Sequence, residues 1–567
     1  MIESAIEALE RLQAVRAAEG DSPALLNELA AAYYRSGNLR MAVNALTTAL
    51  KLDPEHVDSH LNVASLLLEA RQLDLAQRHA ERAIALAPQR YEAALGMGLL
   101  ARARERSSDA LEWLTRAEVI APERVEAPMA IGATNQEMGL PAEAIAAFDR
   151  ALRWHASNAD LISNRLFATN FLPSFDAVEW LAAHRNYERR IRLPQRSATR
   201  AVTDDGRCHV GYVSGDLRNH AVARFLLPVL RHHDRRRFHI TGYYTGRIID
   251  AVTREIAGLC DTFRQVAVVG DDALIAQIAD DAIDVLIDLS GHSSGNRLPV
   301  FAARAAPMQI TWLGYLGSTG LQQMDIRLSD AHADPEGVSE AWHVERLLRL
   351  PNTMWTYEPY PDAPDVASAP CLRNHVITFG SLSNPSKLSD EALAAWAQIL
   401  VALPMSRMLI MARDDAAVRE RILAPFRVAG IDEARITLLS RLSTRAYLEA
   451  YADIDIALDA FPFSGGTTVC DALWQGVPVL AVRSLRPFGT TAASVLHQVG
   501  LDDWVVDSPD DLVERAIGIS RENLVGLRAE LRARMQSSPL LDAPLLTRSL
   551  EAILLRERLA ILPGRHV

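Results

Sequence analysis

The sequence predicts an α-helical repeat solenoid followed by two α/β domains with parallel sheets. Small residues recur at a period of 34 in the first third of the chain. From Cys208 onward, short β-branched runs alternate with helical stretches, and a second series of the same kind begins near His375. A chain of 567 residues is too long for one hydrophobic core, so several domains are expected.

The repeat is defined by columns of small residues in four units that begin at Pro23, Val57, Tyr91 and Val125. The eighth, twentieth and twenty-seventh positions are small throughout: Ala30, Ala64, Gly98, Gly132; Ala42, Ala76, Ala110, Ala144; Ala49, Ala83, Ala117, Ala151. Such columns allow two antiparallel helices to approach closely, and the pattern resembles the tetratricopeptide repeat. We expect the solenoid over 1–158, with a half-unit around Ala8 at its start, and a degenerate repeat with connecting helices over 159–205.

A solenoid of this kind presents a concave face, which suggests a protein or peptide partner. A structural role in dimerisation is the alternative.

The remaining sequence divides at a stretch rich in Pro and Asp, "TYEPYPDAPDVASAP". We predict a first Rossmann-like lobe over 206–355, a linker over 356–373, a second such lobe over 374–540 and a C-terminal helix within 541–567. Alternating strands and helices favour a parallel sheet wrapped by helices. Two doubly wound domains in tandem can share one ligand crevice beyond the carboxyl ends of their strands.

Composition excludes several classes of protein. The formal net charge of −12 argues against a nucleic-acid coat, which needs a basic surface. The four cysteines form no C-x-x-C pair and are interpreted as reduced thiols. The uncharged stretch 305–324 contains Pro307 and three glycines, which does not suit a membrane span. We expect a cytoplasmic protein without a signal peptide or a bound cofactor.

An anion site is predicted in "FPFSGGTTVCDALW", where an apolar strand turns into a helix. Gly465 and Gly466 permit a tight turn, and the helix that follows directs backbone N–H groups and its positive end at the crevice. Because the turn holds no lysine, the cation is expected to be Lys387 in "FGSLSNPSKL". Asp471, one turn into the helix, is placed to accept hydrogen bonds from ribose hydroxyls. A diphosphate nucleotide fits these groups, and a plain helix start is the alternative.

Two histidines follow strands of the first lobe. His220 in "GYVSGDLRNHAVARF" stands at a helix start, where an imidazole tends to stay neutral and can accept a proton or donate a hydrogen bond. Its simpler role is that of a capping or surface residue. His292 in "LSGHSSGNR" is expected to face the same crevice or to be an ordinary loop residue.

A metal site is not expected at the D-x-D of Asp453 and Asp455. In metal-dependent sugar transferases this motif holds a divalent ion, but here it leads directly into a strand and has no third ligand nearby in sequence.

Taken together, the motifs resemble the O-GlcNAc transferase family, in which tetratricopeptide repeats are fused to a two-lobed glycosyltransferase of the GT-B type. The matching stretches are "GYVSGDLRNH", "DVLIDLSGHSSGNR", "AAPMQITWLGYLGSTG", "FGSLSNPSKL" and "LDAFPFSGGTTVCDALWQGVPVL". The resemblance implies transfer of N-acetylglucosamine from UDP-GlcNAc to Ser or Thr hydroxyls of proteins, with inversion and without a metal.

The same resemblance implies roles for individual residues. Lys387 would bind the diphosphate, Thr467 and Thr468 its oxygens, and Asp471 the ribose. His220 matches a histidine described either as the base or as a sugar and acceptor contact. Two further residues complete the expected donor site: Asn384, near the diphosphate, and Leu442, which meets uracil through its backbone.

The sequence departs from the animal pattern near the nucleotide. Tyr447 replaces a histidine that stacks on the base, Gly466 replaces a histidine beside the threonines, and Thr444 replaces a lysine that contacts the ribose. These changes predict weaker nucleotide binding. Two alternatives stay open: a different acceptor (a surface protein, a lipid or a small molecule), or a repeat scaffold whose catalysis has decayed.

Overall fold

The computed structural model describes residues 5–195 and 205–561. They form two compact units. The helical unit comprises residues 5–138, 146–155 and 414–417, and the α/β unit comprises the other described residues.

The N-terminal helices follow the predicted repeat. Three of them begin at Pro23, Val57 and Tyr91, as the frame requires, and a fourth begins at Glu126, one residue after the expected Val125. The bounds are α1 Ala5–Glu19, α2 Pro23–Arg35, α3 Leu39–Leu52, α4 Val57–Glu69, α5 Leu73–Leu86, α6 Tyr91–Ala103, α7 Ser107–Ile120, α8 Glu126–Met138 and α9 Pro141–Leu152. The prediction of an α-helical repeat is therefore confirmed.

The small-residue columns lie where helices meet. Every alanine of the twentieth and twenty-seventh columns is buried. A Cβ added to Gly98 would lie 2.6 Å from Leu114 Cγ, and one added to Gly132 would collide with the ring of Phe148. Because real Cβ contacts are never that short, glycine allows these pairs of helices to pack at their observed separation.

The first sheet of the α/β unit has seven parallel strands in the order β3-β2-β1-β4-β5-β6-β7. Helices α10 (Ala159–Thr169) and α11 (Ala177–Arg190) precede it. The strands are β1 Cys208–Ser214, β2 Phe238–Tyr244, β3 Thr262–Gln265, β4 Val285–Asp288, β5 Met308–Thr311, β6 Ile326–Ser329 and β7 Arg346–Arg349. The helices between them are α12 Ala221–His232, α13 Ala251–Leu259, α14 Asp271–Asp280 and α15 Leu298–Ala302.

The second sheet has six parallel strands in the order β10-β9-β8-β11-β12-β13. The strands are β8 Thr378–Ser381, β9 Arg407–Met411, β10 Ile436–Leu439, β11 Ile456–Leu458, β12 Val479–Val482 and β13 Val505–Val506. The helices are α16 Pro370–Asn374, α17 Asp390–Ala402, α18 Ala416–Val428, α19 Thr444–Ala450, α20 Thr467–Trp474, α21 Thr491–His497, α22 Pro509–Ile517, α23 Arg521–Gln536 and α24 Ala543–Ile561.

The last helix returns to the first lobe. Glu551 of α24 is buried, and its Oε1 lies 3.0 Å from His233 Nδ1 at the end of α12. The predicted closing helix thus packs against the first lobe, although the contacting residues are 318 apart in the chain.

Both sheets reverse their strand order at one place. The switch lies between β1 and β4 in the first sheet, and between β8 and β11 in the second. Ligands of open parallel sheets bind beyond the carboxyl ends of the strands at such switch points. His220, His292, Lys387 and Gly465 each follow one of these four strands, so the topology selects the same segments as the sequence motifs.

Among the described residues, no helix combines the length and apolar character needed to cross a bilayer.

Candidate functional site

The turn between β11 and α20 is held in shape by a buried carboxylate. Asp459 follows the strand directly and accepts hydrogen bonds from Gly465 N at 2.9 Å and from Ser464 Oγ at 2.6 Å. Ser464 Oγ in turn accepts from Ala492 N at 2.9 Å. Burial raises the pKa of Asp459, while Ser464, Lys387 and Gly465 oppose that shift. The turn is therefore fixed before any ligand arrives.

Lys387 reaches this turn from the loop after β8. Its Nζ donates to Ser464 O at 3.1 Å and lies 4.5 Å from the ring centroid of Phe463. Burial lowers the pKa of Lys387 to about 8, and the charge of Asp459 opposes the shift. An ammonium group already stripped of much of its water interacts strongly with an incoming anion.

The helix start opens at the residues predicted to bind phosphate. Gly466, Thr467 and Thr468 are half-buried, whereas the residues on either side of them are buried. Backbone N–H groups of the first helical turn have no partner within the helix. These N–H groups and the helix dipole together favour binding of an anion beside Lys387.

The two glycines have different structural roles. A Cβ on Gly465 would lie 2.8 Å from Asp459 Oδ1, so the close approach of this carboxylate requires glycine. At Gly466, the nearest atoms to an added Cβ are Thr491 Cγ2 at 3.4 Å and Phe225 Cζ at 4.0 Å, which are ordinary contacts. Gly466 therefore has room for a larger side chain.

Asp471 lies buried on the next turn of α20, among tyrosines. Its Oδ1 accepts from Tyr357 Oη at 2.6 Å and its Oδ2 from Tyr447 Oη at 3.0 Å. Burial raises the pKa of Asp471 to about 6, and the two tyrosine hydrogen bonds and the charge of Arg224 oppose this shift. A ribose hydroxyl that binds Asp471 must share it with these hydroxyls or displace one of them.

Tyr447, the residue expected to stack on a base, is half-buried on α19. Its hydroxyl also lies 3.0 Å from Tyr451 Oη, and Tyr451 Oη donates to Thr468 O at 3.2 Å. The ring is thus anchored through its hydroxyl to the same helix that carries Asp471.

The first lobe contributes a cation that the sequence motifs did not identify. The Arg224 guanidinium, one turn after His220 on α12, lies 3.3 Å above the ring centroid of Tyr360. Its charge lowers the pKa of Asp471 in the second lobe. Helix α12 therefore carries both a titratable group and a fixed positive charge toward the crevice.

His220 caps α12 and has a carboxylate nearby. Its Nδ1 accepts from Val222 N at 3.3 Å and lies 3.6 Å from Asp216 Oδ2. The side chain is 38% exposed. Burial lowers the pKa of His220, and Asp216 opposes this shift.

The tautomer of His220 decides its chemistry. With Nδ1 accepting from Val222 N, Nε2 carries the proton and can only donate. If Nδ1 carries the proton instead, Asp216 is the acceptor that faces it, and Nε2 can take a proton from a substrate hydroxyl. Both predicted roles, the cap and the proton acceptor, are thus available to one side chain.

Two predicted contacts lie in loops that follow strands β8 and β10 of the second sheet. Asn384 is exposed, and its side chain caps the short 3-10 turn Pro385–Lys387 by accepting from Ser386 N at 3.1 Å. Leu442 is half-buried in the loop between β10 and α19. Their placement next to Lys387 and Tyr447 in the chain leaves both as predicted donor contacts.

His292 does not face the crevice. It is fully buried, with Nδ1 3.0 Å from Ser163 Oγ and Nε2 2.9 Å from Thr319 O. Burial lowers its pKa to about 3, so the neutral ring donates to Thr319 and accepts from Ser163. The expectation that His292 contacts substrate is wrong for this structure, because both ring nitrogens bind inside the protein.

The D-x-D aspartates have separate environments. Asp455 is buried and accepts from Cys371 N at 3.0 Å and Thr378 N at 2.9 Å, while the side chain of Asp453 is 67% exposed. Asp455 therefore links the backbone of α16 to that of β8.

Sequence reasoning missed four residues of this region: Asp459, Tyr357, Tyr360 and Arg224. An acid directly after an apolar strand was a usable indication for Asp459. Tyr357 and Tyr360 lie in the stretch assigned to the linker, and Arg224 packs over the ring of Tyr360 from the first lobe. The residue types and sequence positions of these two tyrosines and of Arg224 do not distinguish them from surface residues.

Family models and a solved structure both match this chain over most of its length. The family described as Glycosyl transferase family 41 matches residues 191–358 and 368–550, and a tetratricopeptide repeat matches residues 23–56. A solved structure of a Thermobaculum terrenum O-GlcNAc transferase mutant is similar with a TM-score of 0.82 and 30% identity, covering 89% of this chain and 98% of that one.

Two plant relatives are also similar to this chain. The tomato (Solanum lycopersicum) protein named probable UDP-N-acetylglucosamine–peptide N-acetylglucosaminyltransferase SPINDLY is 35% identical over 406 residues, 69% of this chain and 43% of that protein. The Arabidopsis thaliana protein of the same enzyme name, SEC, is 26% identical over 61% of this chain and 36% of that protein. The matched regions cover less than half of these relatives.

Proposed function

The chain belongs to glycosyl transferase family 41, and from this premise we propose that it transfers N-acetylglucosamine from UDP-GlcNAc to Ser or Thr hydroxyls of proteins. The observation that carries the proposal is the convergence of a desolvated lysine and an open helix start on one turn, at the switch point of the second sheet. The names of the similar proteins supply the donor and the peptide acceptor.

We propose a single displacement with inversion. The acceptor oxygen attacks the anomeric carbon, and the bond to the diphosphate oxygen breaks on the opposite face. Lys387 and the N–H groups at the start of α20 stabilise the charge that develops on UDP, in the place that a divalent ion takes in metal-dependent transferases. His220 accepts the hydroxyl proton at Nε2 when Asp216 holds the Nδ1–H tautomer.

Acceptor binding is proposed for the concave face of the repeats. A cavity of about 210 Å³ lies among α4, α5 and α6, and Leu61, Leu68 and Leu99 are among its lining residues. Gly96 leaves it open, since no atom lies within 4 Å of the position of an added Cβ. An extended peptide with apolar side chains fits such a surface.

The test is a transfer assay on the full chain, with UDP-GlcNAc labelled in the sugar and Ser- or Thr-containing peptides or a cell lysate as acceptor. We expect label in protein, released as the sugar by β-elimination. UDP-glucose, GDP-linked sugars and a lipid extract serve as parallel donors and acceptors.

Each outcome decides between the alternatives. Label in lipid or small molecules only would replace the protein acceptor, and turnover of a different nucleotide sugar would replace the donor. UDP binding without transfer or hydrolysis of any donor would favour a scaffold with decayed catalysis and overturn the proposal.

A further inference from the structure

Two histidines face each other at the start of the first sheet, far from the donor crevice. His209 of β1 and His239 of β2 are paired in register, and their ring centroids are 4.6 Å apart with an angle of 12° between the planes. The crevice lies beyond the other end of β1, five residues farther at Ser214, which corresponds to about 17 Å along a strand.

A carboxylate completes the cluster. One ring nitrogen of His209, one of His239 and one carboxylate oxygen of Asp205 all lie within 4.8 Å of one another. His209 is buried, His239 half-buried and Asp205 exposed, so solvent reaches the cluster at Asp205.

Both ring nitrogens of His209 face oxygen atoms that accept hydrogen bonds, an arrangement that favours a bound cation. Its Nδ1 lies 3.3 Å from the carbonyl oxygen of Asp281, which can only accept. In the neutral ring Nε2 is then a lone pair, and it lies 3.2 Å from both carboxylate oxygens of Asp205. Two acceptors at this distance require a positive charge between them, either a proton or a metal ion.

His239 also has a nitrogen available to a ligand. Its Nε2 lies 3.3 Å from Thr262 Oγ1, and its Nδ1 is buried and has no hydrogen-bond partner among the residues that the structure describes. A buried imidazole nitrogen without a partner is costly unless something binds to it.

We propose that Asp205, His209 and His239 bind a divalent transition-metal ion of the Zn²⁺ class. Two imidazoles and one carboxylate suit Zn²⁺, with water completing the coordination. Bond lengths of about 2.0–2.2 Å place tetrahedral ligands about 3.4 Å apart, so the exposed Asp205 and the rings need to close by about 1 Å. The ion would join β1, β2 and the segment before β1, and it takes no part in sugar transfer.

Arg207 forms an ion pair with the carboxylate of the proposed site. Its Nε lies 2.9 Å from Asp205 Oδ2, where it competes with a metal for the carboxylate and repels a cation. Removing that guanidinium strengthens metal binding, whereas removing a ligand weakens it.

The experiment titrates the chelator-treated full chain with Zn²⁺ by calorimetry and records the visible spectrum with Co²⁺. We expect one site that Asp205→Asn and His239→Ala each weaken by at least about tenfold, since even loss of an outer-shell partner typically costs 10–100-fold in affinity. Arg207→Gln is expected to tighten the same site.

The matched control is His232→Ala, which removes an exposed histidine at the end of α12 and leaves the cluster intact. Circular dichroism and the melting temperature without metal verify the fold of each variant, and the exposed Asp205 supplies a variant that leaves the core unchanged. Equal Zn²⁺ affinity in the ligand variants and the control, or no saturable site, would overturn the proposal and assign the cluster to a His209–Asp205 ion pair. Because the readout is metal binding, it is independent of the proposed transferase activity.

Discussion

The two lobes share a parallel topology with one switch point each, but they place different side chains at that point. In the second lobe, the buried Asp459 and the half-buried Lys387 hold a fixed turn, and Asp471 binds two tyrosine hydroxyls. In the first lobe, the corresponding position carries His220, partly exposed and 3.6 Å from its carboxylate neighbour.

The difference indicates a division of labour. Preorganised charge stabilises a transition state because the groups need no reorientation when charge develops. A proton acceptor needs access and a choice of tautomer, which a loosely held imidazole retains. The two arrangements therefore support the proposed donor site in the second lobe and the proposed proton acceptor in the first.

The largest effect is expected from Lys387→Ala. Loss of the ammonium group that contacts the turn is expected to lower kcat for transfer by about 10²–10³, the usual cost of removing a preorganised donor. Lys387→Arg is the matched control, because it retains charge in a bulkier form and should recover part of the rate. Steady-state transfer kinetics measure both, and near-normal turnover of Lys387→Ala would refute the role of this lysine.

His220→Ala tests the first lobe. We expect a loss of about 10² in kcat, at the lower end for general-base catalysis, because the Asp216 contact is loose in this structure. UDP affinity should stay within about twofold of wild type, and Asp216→Asn should reproduce part of the kinetic loss. Unchanged kinetics, or a loss confined to UDP binding, would remove His220 from proton transfer.

The smallest effect is expected from Tyr357→Phe, which removes one of the two hydroxyls that bind Asp471. Loss of this hydrogen bond removes an effect that lowers the pKa of Asp471, so the carboxyl becomes protonated at higher pH. UDP affinity should fall about three- to tenfold, or roughly 1 kcal/mol, and more at pH 6 than at pH 8.

Tyr360→Phe provides the control for that measurement. It keeps the ring beneath Arg224 and leaves the Tyr357–Asp471 hydrogen bond in place. Calorimetric titration with UDP at the two pH values compares the variants, and a pH-independent loss in Tyr357→Phe would contradict the assigned cause.

The features that could be predicted from the sequence are those set by local patterns. The alanine columns gave the helix starts at Pro23, Val57 and Tyr91, because repeat packing is a short-range property of neighbouring helices. Lys387 and Gly465 were placed by strand exits, since parallel strands end at the same edge of a sheet. Arg224 and Tyr357 were missed because their partners lie in distant parts of the chain.

The error at His292 has a physical reason. A residue just after a strand can turn into the crevice or back into the core, and periodicity does not distinguish the two. Helices α10 and α11 precede the first sheet, and the hydroxyl of Ser163 on α10 reaches His292. Only the tertiary placement of α10 reveals that this ring is enclosed.

The path of the chain between the lobes has a mechanical consequence. Tyr357 lies on the segment that joins the two sheets, its backbone N–H bonds to Leu540 O at 2.8 Å, and its hydroxyl bonds to Asp471. A hinge opening there must either drag α20 along or stretch the bond to that carboxylate. If UDP binds at Asp471 as proposed, its binding and the angle between the lobes are linked through this one phenol.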